Sequence, residues 1–181
     1  MKISLPKLKA ILLYFGNNTD TKFLGKVKLM KLFYFLDFLH VKKHGSPVTY
    51  DTYVNLEHGP IPSTIKNLID TAAEDIDRSS LSDTISCEWQ ELSDGGSMCR
   101  IKPARKFTKE DAKHFSDSEL RILDQVCKRF GDKNTRDIED ASHKEAAWTK
   151  AQLLEEIPYS LAAEDRDSQV TKEEIELLLK I

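Results

Sequence analysis

From Leu29 to Val41 the chain is apolar on nearly every side of a helix, and no other feature restricts the fold as much. Only Lys31, Asp37 and His40 interrupt the run. At about 100° per residue, Asp37 and His40 fall within about 60° of each other while Lys31 points elsewhere, so a helix here has almost no solvent face. Such a helix either spans a membrane or occupies the centre of a core. This stretch is thirteen residues long, between Lys26 and Lys28 on one side and Lys42 and Lys43 on the other. That is short of the roughly 20 residues a bilayer requires. It is therefore read as a core helix that the other elements surround.

The flanking sequence supplies those elements. Ser4 and Pro6 open a first helix on Leu8, Ile11, Leu12 and Phe15, which Gly16 and Asn17-Asn18 end. Thr19, Asp20 or Thr21 is expected to cap the central helix, which stops at Gly45 after a cationic finish, Lys42-Lys43-His44, suited to the negative end of the helix dipole. From Val48 to Leu56 the residues alternate as in a strand with one packed face. His58-Gly59-Pro60-Ile61-Pro62 then predicts a rigid extended turn, because the two prolines exclude helix from the residues before them. A helix on Ile65, Leu68, Ile69 and Ala72 begins at Pro62 or Ser63, and Asp77 to Ser80 form a loop.

Thr84 to Leu92 and Met98 to Lys102 flank Ser93-Asp94-Gly95-Gly96-Ser97, a hairpin signal, with Ile85, Trp89 and Ile101 on the packed face. Ser116 and Glu119 form a capping box, with Phe115 and Leu120 as its apolar staple, ahead of a helix that Gly131 stops. Thr135 caps a shorter helix through Ile138 and Ala141, and Ser142 to Trp148 lead into another. Leu153 to Glu164, interrupted by Pro158, has no assignable pattern. Thr171 and Glu174 repeat the capping box before Leu177 to Leu179. The fold class expected is mainly α (α+β): a compact helical domain around a buried central helix, with a small β component including a hairpin. Residues 1–181 are read as one domain.

Composition narrows the function. A net charge of −3 and a pI near 6.0 argue against a dedicated nucleic-acid binder, which needs a basic face. The densest basic run, Lys102 to Lys106 with Lys109, is diluted by Glu110 and Asp111 and reads as a solvated strand end. Cys87, Cys99 and Cys127 are odd in number and lack Cys-x-x-Cys spacing. The opening Met1-Lys2-Ile3-Ser4-Leu5-Pro6 is broken by proline before an apolar signal could form, so a reducing cytoplasm is expected.

Motifs for chemistry are sparse. His40 and His44 stand four apart, the spacing two metal-binding imidazoles use on a helix, but no ligand-rich motif accompanies them. No metal or cofactor is expected. Glu57-His58 beside the Gly-Pro turn could supply a general base, with no Ser, Cys or Asp motif to complete a nucleophilic set. The seven glycines form neither a phosphate loop nor a Gly-x-Ser-x-Gly elbow. Tyr34 lies inside the core helix, as an ordinary buried tyrosine or with its hydroxyl toward the turn. Tyr50, Tyr53 and the proline-rich turn suit protein contacts more than catalysis.

Three separated motifs resemble a known family: Lys28-Leu29-Met30-Lys31-Leu32-Phe33-Tyr34-Phe35, then Gly45-x-Pro47 with Leu56-Glu57-His58-Gly59-Pro60-Ile61-Pro62-Ser63, then Ser142-His143-x-x-x-x-Trp148. They are similar to the Panacea domain, which includes SocA-like and GepA-like antitoxins. The residue before Trp148 is Ala147 here, where the family commonly has proline. The resemblance implies a non-enzymatic antitoxin that neutralises a protein toxin, usually encoded next door, by direct binding. SocA-like members instead deliver the toxin to the ClpXP protease; an enzyme using the loop histidine is the remaining alternative. The matching motif residues are Lys31, Tyr34, His58, Gly59, Pro60, His143 and Trp148. Gly59 and Pro60 are expected to shape the turn, and Tyr34, His58, His143 and Trp148 to form a polar and aromatic cluster beneath it. Tyr50, Tyr53, Glu57, His58 and Pro60 are the expected partner-binding residues, with no membrane or nucleic acid involved and the oligomeric state open.

Overall fold

The structure, a computed structural model, describes residues 3–91 and 95–180. Leu92, Ser93 and Asp94 of the predicted hairpin, and Met1 and Lys2 of the chain start, lie outside these residues. The architecture is mainly helical with two small antiparallel hairpins.

Helix α2 (Lys26–His44) is the axis, and every residue from Lys28 to Lys42 is buried. Each large apolar side chain removed from water there contributes about 1.5–3 kcal/mol. Helix α1 (Leu5–Asn18) covers one side, with Phe15 edge-on to Phe33 at 5.4 Å between centroids. Helix α5 (Asp117–Phe130) covers another, with Phe130 at 4.4 Å from Phe35. The capping box of Ser116 and Glu119 opens α5 as the sequence predicts, and Gly131 ends it.

The central helix starts later than expected. Asp20 caps a separate short 3-10 turn, Thr21–Phe23, by accepting a hydrogen bond from the Lys22 amide. Leu24 and Gly25 then dock on strand β4 (Ser97–Pro103): the Leu24 carbonyl accepts from the Ile101 amide at 2.8 Å, and Gly25 bridges Arg100. This sheet contact, rather than a side-chain cap, sets the beginning of α2. At the other end Gly45 adopts φ +78°, and its amide closes the helix on the Val41 carbonyl, the left-handed stop that glycine allows.

The alternation from Val48 to Leu56 also resolves differently. Only Tyr53–Leu56 form a strand, β1; Val48 to Thr52 are a loop whose amides serve buried carboxylates, and Tyr50 has φ +56°. The proline-rich stretch is itself a strand, β2 (Gly59–Pro62), pairing Tyr53 with Pro62 and Leu56 with Gly59. The reversal is therefore the two-residue turn Glu57-His58, and the rigid turn expected over residues 58–62 is corrected to a hairpin arm. Helix α3 (Ser63–Glu74) follows, with Ile65, Ile69 and Ala72 buried.

Strand β3 (Ile85–Glu91) pairs with β4 as predicted. Ile85 and Ile101 are buried, but Trp89 is corrected to an exposed position, 60% in solvent, although Cys99 opposite it is buried. Cys87 and Cys99 are joined across it as a disulfide, a pairing that the reading of a reducing compartment did not anticipate; Cys127 is a buried thiol. Arg105 of the basic run is tied to Asp111 by paired contacts at 2.7 Å.

After α4 (Lys109–Ala112) and α5 come α6 (Thr135–Ser142) and α7 (Ala146–Lys150). The cap of α6 is Asn134, one residue before the predicted Thr135. The stretch without sequence pattern holds a third strand-like segment. Leu154 donates to the Asn55 carbonyl at 2.7 Å, Asn55 to Glu155 at 2.9 Å and Ile157 to Tyr53 at 2.8 Å, so β1 is flanked on both edges. A 3-10 stretch, Tyr159–Glu164, and helix α8 (Lys172–Leu178) with its capping box complete the structure.

Candidate functional site

The motif residues converge where the β1–β2 hairpin crosses α2 and α6. Gly59 sits at φ +92° directly over Lys31: a Cβ there would lie 2.9 Å from Lys31 Nζ and 2.8 Å from Ser142 Oγ. Lys31 is fully buried and donates to the Pro60 carbonyl at 2.9 Å. Burial pulls its amine down to about 7, opposed by the charge of Glu139. Gly59→Ala is therefore expected to cost about 2–3 kcal/mol, from left-handed strain and displaced Lys31 together. Urea denaturation would measure this, and a loss below about 0.5 kcal/mol would mean the hairpin is not seated on Lys31.

Around that contact, α6 and α7 grip the hairpin. His143 stacks on Trp148 at 4.0 Å and 19°, and Trp148 Nε1 donates to the Leu56 carbonyl at 3.2 Å. Asn55 Nδ2 donates to the carbonyls of Trp148 and Ala151. His58 Nδ1 lies 3.0 Å from a Glu139 oxygen, with the histidine side chain 79% exposed. Of the expected cluster, His143 and Trp148 stack on each other, while His58, in the turn itself, meets Glu139 instead. Tyr34 does not join it: the ring packs among Phe35, Phe38 and Tyr53, deep under β1, and burial raises its hydroxyl pKa well above the ordinary value.

Of the expected partner-binding side chains, Glu57 and His58 are exposed and Tyr50 is half-buried. Tyr53 and Pro60 are corrected to buried positions. Tyr53 is only 1% exposed and spends its hydroxyl on Asp37 at 2.8 Å. The alternation that marked Tyr53 as strand-like also turned it inward, because residues 53 and 55 form the packed face of β1.

Three charges are buried beneath the hairpin and the C-terminal segment: Asp37 and Asp51, to which the sequence assigns no role, and Lys42, which is expected only as a helix flank. Asp37 accepts from the amides of Val48 and Thr49, both at 2.8 Å, and from the hydroxyls of Thr49 and Tyr53. Asp51 accepts from the amides of Thr64 and Ile65, capping α3 from outside the helix, and takes no help from Pro62, which lacks a capping side chain. Lys42 holds Glu145, Asp165 at 2.9 Å and Asp167 at 3.1 Å. For Asp37 the available signal is charge within an otherwise apolar helix, which is costly unless paired; Asp51, in the loop, carries no such signal.

His40 and His44 lie 4.7 Å apart between centroids with their rings tilted by 49°, and the His40 ring nitrogens face the Ser46 carbonyl and Ser118 Oγ. Among the described residues no three His, Cys, Asp or Glu side chains are grouped to hold a metal. Nor is any described helix long and apolar enough to cross a membrane. Comparison with curated proteins found no match, and comparison with solved structures found none. Residues 29–149, which include every motif residue from Lys31 to Trp148, match the family model described as antitoxin SocA-like, Panacea domain, and by that match over more than half its length the chain belongs to this antitoxin family.

Proposed function

We propose that the protein neutralises a protein toxin, encoded close to it, by binding it directly through a surface formed before the two meet. The observation that carries this reading is the contrast at the β1–β2 turn. Glu57 and His58 stand in solvent, while beneath them Lys31, Asn55 and Trp148 all hold the hairpin backbone. A contact surface fixed in advance loses little conformational freedom on association. Tyr50, Glu57 and His58 contribute to the contact, and Tyr53 and Pro60 support it from below.

The groups that could be mistaken for catalytic ones are better explained as structural. The Lys31 amine has no exposure and is covered by Gly59 and Ser142, so a substrate carbonyl has no approach to it. His58 is oriented by Glu139 but faces open solvent, without the enclosed, water-excluding site that acid–base chemistry exploits.

Growth rescue tests the reading. Each neighbouring reading frame is expressed alone and then with this chain, scoring growth and co-purification. The expected result is rescue together with a stable complex and an unchanged or longer toxin half-life; rescue with a shortened half-life would make the protein a proteolysis adaptor instead. Glu57→Lys is expected to weaken the complex about tenfold with the melting temperature held within about 1 °C. His58→Ala is expected to retain neutralisation. If no neighbour is toxic, the proposal fails.

A further inference from the structure

The strand-like segment on the outer edge of β1 links the turn to a second feature. Leu154 pairs beside Asn55, next to the turn, and Ile157 pairs beside Tyr53, so the segment runs from Glu57 toward Tyr50. Leu153 and Leu154 are 60% and 74% exposed along it. Leu154 also has φ +69°, a conformation that crowds the Cβ of any side chain and that concentrates at contact sites. At the far end the segment opens into a groove of about 460 Å³ whose lining includes Tyr50, Glu156, Pro158, Tyr159, Glu176 and Leu179.

Helix α8 forms the other wall. Ile175 anchors it to the core, whereas Leu177, Leu178 and Leu179 remain 62%, 38% and 36% exposed. This helix leaves its aliphatic surface in water at a groove whose opposite wall, Glu156 to Tyr159, continues the segment that carries Leu153 and Leu154, and so has room for a partner.

Charge identifies the kind of partner. Residues 151–181 carry eight carboxylates against three basic side chains, in a chain whose total is only −3. Several of the eight are already committed: Asp165 and Asp167 to Lys42, Glu164 to Lys150, and Glu174 to the α8 cap. Glu155, Glu156 and Glu173 are exposed and have no ion pair among the described residues, and Glu176 meets Lys172 only at 3.9 Å. Glu156 and Glu176 line the groove together with Leu179, and carboxylates beside exposed aliphatic surface repel nucleic acid and anionic membranes and attract a basic segment.

We propose that this groove docks a cationic amphipathic segment of the partner protein, with an aliphatic side chain on Leu179 in the groove, lysines or arginines facing Glu156 and Glu176, and the segment's continuation reaching the exposed Leu153 and Leu154 along the β1 edge. It rests on the toxin-binding reading for the partner's identity and continues the Glu57-His58 surface along the edge of β1. The recognition chemistry is independent of which toxin is encoded nearby.

A synthetic amphipathic peptide of leucines and lysines, titrated into the full chain by calorimetry, tests it. The expected result is one-to-one binding that weakens as salt is raised. The same peptide with glutamates for lysines is expected not to bind, and oligolysine to bind about tenfold more weakly. Glu156→Lys with Glu176→Lys is expected to lower affinity about tenfold or more, and the charge-matched pair Glu91→Lys with Glu110→Lys by less than about twofold. Leu154→Asn, which tolerates the left-handed backbone, is expected to lose about fivefold by itself with circular dichroism unchanged. Equal losses in the two charge-reversed pairs, or no binding at all, would overturn the proposal. Growth rescue that persists without peptide binding would remove the groove and leave the antitoxin reading standing. Peptide binding lost only in the groove variants, with no toxic neighbour found, would support the groove and remove that reading.

Discussion

Asp37→Ala is expected to lower stability by about 3–5 kcal/mol, a drop of about 10–15 °C in melting temperature for a chain of this size. The residue is fully buried, and the carboxylate is the acceptor for two loop amides and two hydroxyls. Removing it strands those donors in the core, where each unsatisfied group costs about 1–3 kcal/mol. Asp37→Asn separates charge from shape. Burial pushes the Asp37 carboxyl up from 3.8 to about 6, with the hydrogen bonds from Thr49, Tyr53 and Val48 holding it back. The folded carboxyl thus binds its proton more tightly than the unfolded one. Its contribution to stability is fully present below about pH 4 and is lost as pH rises through about 6. The advantage of wild type over Asp37→Asn should therefore shrink by roughly 2 kcal/mol between pH 4 and pH 7, read from urea denaturation across that range. A pH-independent difference would show that Asp37 titrates at its ordinary value.

The loop that Asp37 holds presents Tyr50 to the groove, so this core residue shapes the proposed binding surface. Tyr159 joins the same arrangement from the C-terminal segment, donating to the Asp51 carbonyl at 2.7 Å. Asp51 in turn caps α3. One buried acid, one loop and one capping acid thereby link α2, the hairpin and the groove wall.

These links mark the boundary of what the sequence made legible. The central helix could be read because its apolar circumference is a local property, as are the capping boxes at Ser116 and Thr171 and the stops at Gly45 and Gly131; Gly16, expected to begin the end of α1, is instead buried within it, and the helix runs to Asn18. The loop from Val48 to Thr52 could not: alternation looks the same whether side chains pack in a sheet or its amides turn inward to a carboxylate. The segment Leu154 to Ile157 has no period of its own, and its conformation comes from β1, about a hundred residues earlier. Among the site residues, Gly59, Trp148 and His143 are legible through their motif; the structure places Gly59 and Trp148 in contact at the hairpin and stacks His143 on Trp148. Lys28 and Lys42 were read as helix flanks because a terminal lysine looks alike facing water or facing buried acceptors. In the fold Lys28 donates to the carbonyls of Gly131 and Lys133 at the end of α5.

Lys42 carries the second large effect. Its side chain is 2% exposed, with Glu145 and Asp165 nearly as enclosed at 12% and 14%. Burial alone would pull the amine down, but hydrogen bonds and charge from Glu145 and Asp165 outweigh it and raise its pKa. The same contacts fasten the C-terminal segment: Asp165 caps the Ala146 amide, and the Gln169 amide donates to the Lys42 carbonyl at 2.7 Å. Lys42→Met is expected to cost about 3–5 kcal/mol at neutral pH, because it leaves two enclosed carboxylates unpaired. The loss should depend on pH in a defined direction. Burial already raises the Glu145 carboxyl, held back by the Lys42 hydrogen bond and charge and pushed further by Asp165. Without Lys42 only the raising influences remain, so the variant gains stability by protonating Glu145 and loses it as pH rises through that higher pKa. Melts at pH 5 and pH 8 should therefore show the larger deficit at pH 8, and Glu145→Gln added to Lys42→Met should recover part of it. Limited proteolysis is expected to cut the variant first after Asp165, releasing α8 and with it the cationic-peptide binding. An equal deficit at both pH values, or a C-terminal segment as resistant as wild type, would mean that the Lys42 cluster does not hold the groove wall in place.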